Sequence, residues 1–188
     1  MIKIGITGSL ASGKTTASRI LSSNRGPLYS ADEEVKKLYK NPTFKKKLSK
    51  VLNLKSKTNF KREIIKKIST EKKALKNLEK IVHPLVRKKM LSFLFKNRNK
   101  GLLFFEIPLL IEKNLNKFFD IIIFIQAKKS NRLKRYLLKG GNRGLFDKLN
   151  KKQLRDAKKI KFCDYVVVNN GSLNVLKKKL SNIIKFYE

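Results

Sequence analysis

The chain of 188 residues has no tryptophan, a single cysteine and a single histidine. With Cys163 alone an intrachain disulfide is excluded, and a reducing, cytoplasmic setting is expected. The neighbours of Cys163 mark it as a packed thiol and not a nucleophile. No run of about eighteen uncharged apolar residues occurs, which excludes a membrane-spanning helix and a membrane partner. The opening MIKIGIT lacks a basic stretch followed by a long apolar run, so no signal peptide is expected there. Acidic residues are scarce as well: 13 Asp and Glu stand against 47 Lys and Arg, for a net charge of +34. Such a balance suits nucleic acid, where Lys and Arg displace counterions from phosphates. Here, however, the basic residues form no tail or arm and no nucleic-acid motif is recognisable. Lysines are spread over every helical stretch beside abundant Asn, Ile and Phe. Compositional drift plus an anionic small-molecule substrate accounts for the charge better, and a nucleic-acid partner is not expected.

What is present starts at the N-terminus. In GITGSLASGKTTAS, Gly8 is followed by four residues and then Gly13-Lys14-Thr15, the pattern G-x-x-x-x-G-K-[ST]. Ile2, Ile4 and Ile6 ahead of it read as a buried strand, and TTASRILSS behind it reads as a helix start. Strand, glycine loop, helix is the setting of a P-loop. Its backbone N–H groups and helix N-terminus would wrap a polyphosphate, making Gly8, Ser9, Leu10, Ala11, Ser12, Gly13, Lys14, Thr15 and Thr16 the expected ATP-binding residues. Lys14 would reach the β- and γ-phosphates and act in catalysis, and the Thr15 hydroxyl would ligate Mg²⁺.

Strand-like apolar runs recur at 2–7, near 27–30, and at LLFFEI (102–107), DIIIFIQA (120–127) and DYVVVNN (164–170). Runs this continuous suit parallel strands buried on both faces, and their alternation with helical stretches gives an α/β fold. The expected architecture is a P-loop NTPase three-layer α/β/α core with a mainly parallel sheet, in one kinase domain over 1–188. The core is drawn from 1–32, 100–127 and 160–188. Residues 33–99 and 128–159 read as two helical insertions in that core. EKKALKNLEKIVHPLVRKKMLSFLF reads as one helical stretch interrupted around Pro84, and the second insertion is interrupted by KGGNRG over 139–144. A monomer or weak homo-oligomer is expected.

Neither a D-x-x-G switch nor an N-K-x-D base-reading motif stands in a suitable place for a GTPase. A small chain with helical insertions suggests instead a kinase for a small metabolite, which needs a group to take the acceptor's proton and cations over the phosphoryl. In PLYSADEEVKKLY, Asp32 follows a short strand and opens a helix. It is either that proton acceptor or a plain helix-opening carboxylate.

The segments GSLASGKTT, SAD, LEKIVHPLV, FEIPLLIE, RLKRYLLK and DYVVVNNG occur in the order and approximate spacing of dephospho-coenzyme A kinases, over nearly the whole chain. The chain resembles that family. The resemblance implies transfer of the ATP γ-phosphoryl to the ribose 3′-hydroxyl of dephospho-coenzyme A, with Mg²⁺. It also implies Asp32 as general base, Ser30 standing where the family carries a first acid, and Glu106 in place of an Asp. Arg62, His83, Glu106 and Leu109 would then contact the acceptor together with Asp32, and Glu112 closes the same motif as Glu106. Arg135 and Lys139 match the lid, with Lys139-Gly140 where Arg-Asp is expected, and Asn169 matches a position near the adenine, beside Val168 in place of an Asp. Other readings of the residues are another small-metabolite or nucleoside kinase, a nucleic-acid-binding NTPase, and a paralogue that binds nucleotide without catalysis.

Overall fold

The computed structural model describes residues 1–54, 60–71 and 73–188. In chain order the elements are β1 (Ile2–Gly8), α1 (Lys14–Ser22), β2 (Leu28–Ser30), α2 (Ala31–Lys40), α3 (Pro42–Leu52), α4 (Phe60–Thr70), α5 (Ala74–Lys96) and β3 (Leu102–Glu106). They continue as β4 (Ile121–Gln126), α6 (Lys129–Leu138), α7 (Arg143–Lys152), α8 (Asp156–Ile160), β5 (Tyr165–Val168) and α9 (Leu173–Ile184). The chain divides into two compact units, one of Met1–Ser30 with Leu94–Glu188 and one of Ala31–Phe93.

In the first unit the strands make one parallel sheet in the order β2-β3-β1-β4-β5. β3 is buried along its whole length, β1 from Ile4 onward and β4 from Ile121 to Ile125, as suits parallel strands covered on both faces. On one face Ile4, Ile6, Phe104, Ile123 and Ile125 form a core with Ala17 and Leu21 of α1 and with Leu176, Leu180 and Ile184 of α9. The other face carries Phe105, whose ring lies 5.3 Å from that of Phe119, and α8 lies against β4 there. Helices and loops thus flank both faces of the sheet. Chain order reverses at β1, with β3 on one side and β4 on the other. Ligands of such sheets bind at this switch point, beyond the carboxyl ends of the strands. Gly8, Ser30 and Glu106 all lie at that end.

The second unit is helical in its described residues. Asn41 caps α3 by accepting the Phe44 N–H at 3.0 Å, and Pro42 occupies the first turn, where its missing N–H costs nothing. Tyr39 packs its ring against Phe44 and Phe60, at 5.9 and 6.2 Å between centroids. α5 runs unbroken from Ala74 to Lys96 with Pro84 inside it, so the interruption expected at Pro84 is not there. Proline removes the donor for the Lys80 carbonyl, but Lys80 and Pro84 both face solvent, which can satisfy that group. Lys72, the second residue of that stretch, lies outside the described residues. The break between α6 and α7 is shorter than expected, because Arg143 and Gly144 already belong to α7.

Candidate active site

The glycine loop joins β1 to α1. Gly8 has φ 151°, Ala11 φ 58° and Gly13 φ 99°, and Gly13 is the N-cap of α1. The alternation of left-handed and ordinary backbone curls residues 8–15 into a concave loop of peptide groups at a helix N-terminus. Gly8 is required by space as well as by conformation: a Cβ there would stand 2.3 Å from the Ile125 carbonyl oxygen. Lys14 is buried and its Nζ donates to the Ser9 carbonyl at 3.0 Å, so the ammonium is folded back over the loop.

Glu106 ends β3 directly beside this loop. It is 1% exposed, and both carboxylate oxygens are engaged by hydroxyls. Thr15 Oγ1 donates to Oε1 at 2.5 Å and Ser30 Oγ donates to Oε2 at 2.8 Å. The expected metal ligand Thr15 and the expected acceptor-side carboxylate Glu106 are therefore brought together. Ser30 binds the carboxylate oxygen opposite the one that Thr15 binds. Among the described residues no group of three or more His, Cys, Asp and Glu is placed to hold a metal. One hydroxyl and one carboxylate are the sparse oxygen set that suits Mg²⁺, which keeps most of its shell from water and substrate phosphates. The residues present fit that ion.

The other side of the loop is held by α6, α8 and the end of β5. Asn169 Nδ2 donates to the Ser12 carbonyl at 2.9 Å. Arg135 donates to that same carbonyl at 3.2 Å and to the Asn169 carbonyl at 2.9 Å. The two residues expected at the nucleotide are thus together at the loop. Lys139 is exposed at the end of α6. Three further residues here went unrecognised in the sequence. Arg132 donates to the Leu10 carbonyl at 3.3 Å and to Asn150 at 2.8 Å, Gln153 accepts the Leu10 N–H at 2.8 Å, and Asp156 accepts from the Ser9 hydroxyl. Burial pulls the Arg132 guanidinium below its ordinary range, and the charge of Asp156 offsets part of that.

A family model described as dephospho-CoA kinase matches residues 2–174. The chain belongs to the dephospho-CoA kinase family. A dephospho-CoA kinase of Rickettsia prowazekii is 31% identical over 189 residues, covering 100% of this chain and 98% of its own. Among solved structures, a protein of Thermus thermophilus superposes with a TM-score of 0.79 at 27% identity, covering 100% of this chain and 98% of its own. The dephospho-CoA kinase of Campylobacter jejuni gives a TM-score of 0.64 at 25% identity, covering 99% and 97%. The family makes this kinase an ATP-dependent transferase of coenzyme A biosynthesis.

The kinase carries the remaining expected residues elsewhere. Leu109 is half-buried in the turns that follow β3. Asp32 is exposed in the first turn of α2, Arg62 is exposed on α4, and His83 is half-buried on α5, all within the Ala31–Phe93 unit. Glu112 lies 2.7 Å from the Nζ of the fully buried Lys159, an ion pair by distance whose angles are not those of a hydrogen bond. Among the described residues of the kinase no helix is long and apolar enough to cross a membrane.

Proposed function

We propose that the kinase transfers the γ-phosphoryl group of ATP to the ribose 3′-hydroxyl of dephospho-coenzyme A. The observation that carries this reading is the hydrogen bond between Thr15 and the buried Glu106 at the mouth of the glycine loop, a hydroxyl and a carboxylate converging where a phosphate-bound cation belongs. The backbone of residues 8–15 holds the phosphates, and Lys14 swings from the Ser9 carbonyl to the β- and γ-oxygens. Thr15 and Glu106 would hold Mg²⁺, which would neutralise charge on the transferred group. Asp32 takes the proton of the 3′-hydroxyl as its oxygen bonds to the γ-phosphorus. The bond from that phosphorus to the bridging oxygen breaks, and ADP leaves with the electron pair.

Arg62, His83 and Leu109 are assigned to the acceptor, and Arg135, Lys139 and Asn169 to the nucleotide. Residues 33–99 serve as the acceptor-binding insertion and 128–159 as the lid. Closure of the lid would exclude water, so that the phosphoryl group passes to the sugar.

Asp32→Asn keeps the shape of the side chain and removes its basicity. Turnover should fall about 100-fold or more while ATP affinity stays within about twofold of the parent. Steady-state kinetics beside ATP titration separates the two quantities. Full turnover by Asp32→Asn would remove Asp32 from the reaction.

A further inference from the structure

The first turn of the glycine loop is gripped from outside by groups that the proposed reaction does not use. The Ser9 hydroxyl donates to Asp156, and the Leu10 N–H donates to Gln153 at 2.8 Å. Ser9 is also the residue whose carbonyl holds the Lys14 ammonium at 3.0 Å. Asp156 therefore holds the residue on which Lys14 rests before ATP arrives. The grip has its own footing. Lys159, one turn along α8 from Asp156, is paired with Glu112 at 2.7 Å, and the same Glu112 oxygen accepts the Leu154 N–H at 3.2 Å. A buried ammonium is costly to place without a partner, so this pair tethers α8, at the C-terminal end of residues 128–159, to the segment after β3.

We propose that Asp156 and Gln153 are positioning residues for the phosphate loop, holding it in its phosphate-binding shape before ATP arrives. The Glu112–Lys159 pair keeps them in place. A loop already in its bound shape loses less conformational freedom on binding, so the contribution appears as ATP affinity. The inference rests on the reading that the glycine loop binds ATP and is independent of the acceptor.

The test is calorimetric titration of the full chain with ATP and Mg²⁺, without acceptor, for Asp156→Ala, Asp156→Asn, Ser9→Ala and the double variant Ser9→Ala/Asp156→Ala. Loss of one hydrogen bond to a charged group should raise the ATP Kd about tenfold in Asp156→Ala and in Ser9→Ala. The double variant should be no weaker than either single one, because both remove the same bond. Asp156→Asn, whose side-chain oxygen accepts the same hydroxyl, should stay within about threefold of the parent. A merely structural carboxylate would not give that rescue. Parent affinity in Ser9→Ala or Asp156→Ala overturns the proposal, as does multiplication of the two effects or failure of Asp156→Asn to rescue. Should Asp156→Ala not fold, Ser9→Ala and Asp156→Asn decide alone. Failure of the kinase to phosphorylate dephospho-coenzyme A would leave these titrations unaffected, whereas a parent chain that does not bind ATP overturns the loop reading and this proposal together.

Discussion

In the proposed reaction Glu106 is the side chain on which the metal end of the site turns. Its two oxygens are fixed by Thr15 and Ser30, and Gln at this position would keep the size but lose the charge. Glu106→Gln should lower turnover about 100-fold and raise the Mg²⁺ concentration needed for half-maximal rate, read from a magnesium titration at saturating ATP. Cys163 makes the opposite kind of prediction. Burial pushes its thiol up to about 11, with the charge of Asp164 adding to the rise and that of Lys159 opposing it. A raised thiol pKa means less thiolate at neutral pH, so iodoacetamide at pH 8 should label the native chain more slowly than the unfolded one. Comparable labelling of the two would contradict the burial. At this scale the sequence was informative where chemistry is local. The loop residues 8–15 and Thr15 follow from spacing alone. Asp156 and Gln153 do not, because they meet Ser9 and Leu10 from 147 and 143 positions away. No local pattern in KKQLRDAKK marks them, and their role exists only once α8 is docked.

At the scale of elements, β1, β3 and β4 could be located because strands buried on both faces read as dense apolar runs, with Lys3 at the half-buried start of β1 the one charge before their ends. The sheet order could not be read in the same way, since it depends on which crossovers the helices permit. The reading of Pro84 as an interruption failed because Lys80 and Pro84 face solvent, where water can take up much of the cost that a buried proline would impose. The junction of loop and sheet is less forgiving. Gly8→Ala places a methyl 2.3 Å from the backbone oxygen of Ile125, where nothing flexible can yield, and keeps a positive φ. It should cost about 2–4 kcal/mol in urea-unfolding experiments and abolish ATP binding. For α8, Lys159→Leu strands Glu112 and should cost about 3 kcal/mol, whereas the double change Glu112→Leu/Lys159→Leu should recover most of it. A double variant as unstable as the single one would mean that the pair is held by packing and not by charge.

For the molecule as a whole, the net charge of +34 far exceeds what the few cations assigned to the proposed transfer require. The chain should therefore adhere to DNA in dilute buffer and release it steeply as salt rises, without any change in kinase turnover when DNA or RNA is added. Stimulation of ATP hydrolysis by nucleic acid would give the charge a functional partner. Family and fold were legible across almost the full length because the motifs recur in order. The arrangement that makes them a site was not, since Ser30, Glu106 and Thr15 come from three separate segments and are joined only through the parallel pairing of β1, β2 and β3. The measurement that bears most directly on the function is incubation of the purified chain with ATP, Mg²⁺ and dephospho-coenzyme A, with the acceptor followed by mass and the site of modification fixed by NMR. The proposed reaction gives one added phosphoryl group on the ribose 3′-oxygen, lost in Asp32→Asn while ATP still binds. An acceptor left unmodified by a chain that binds ATP would contradict it.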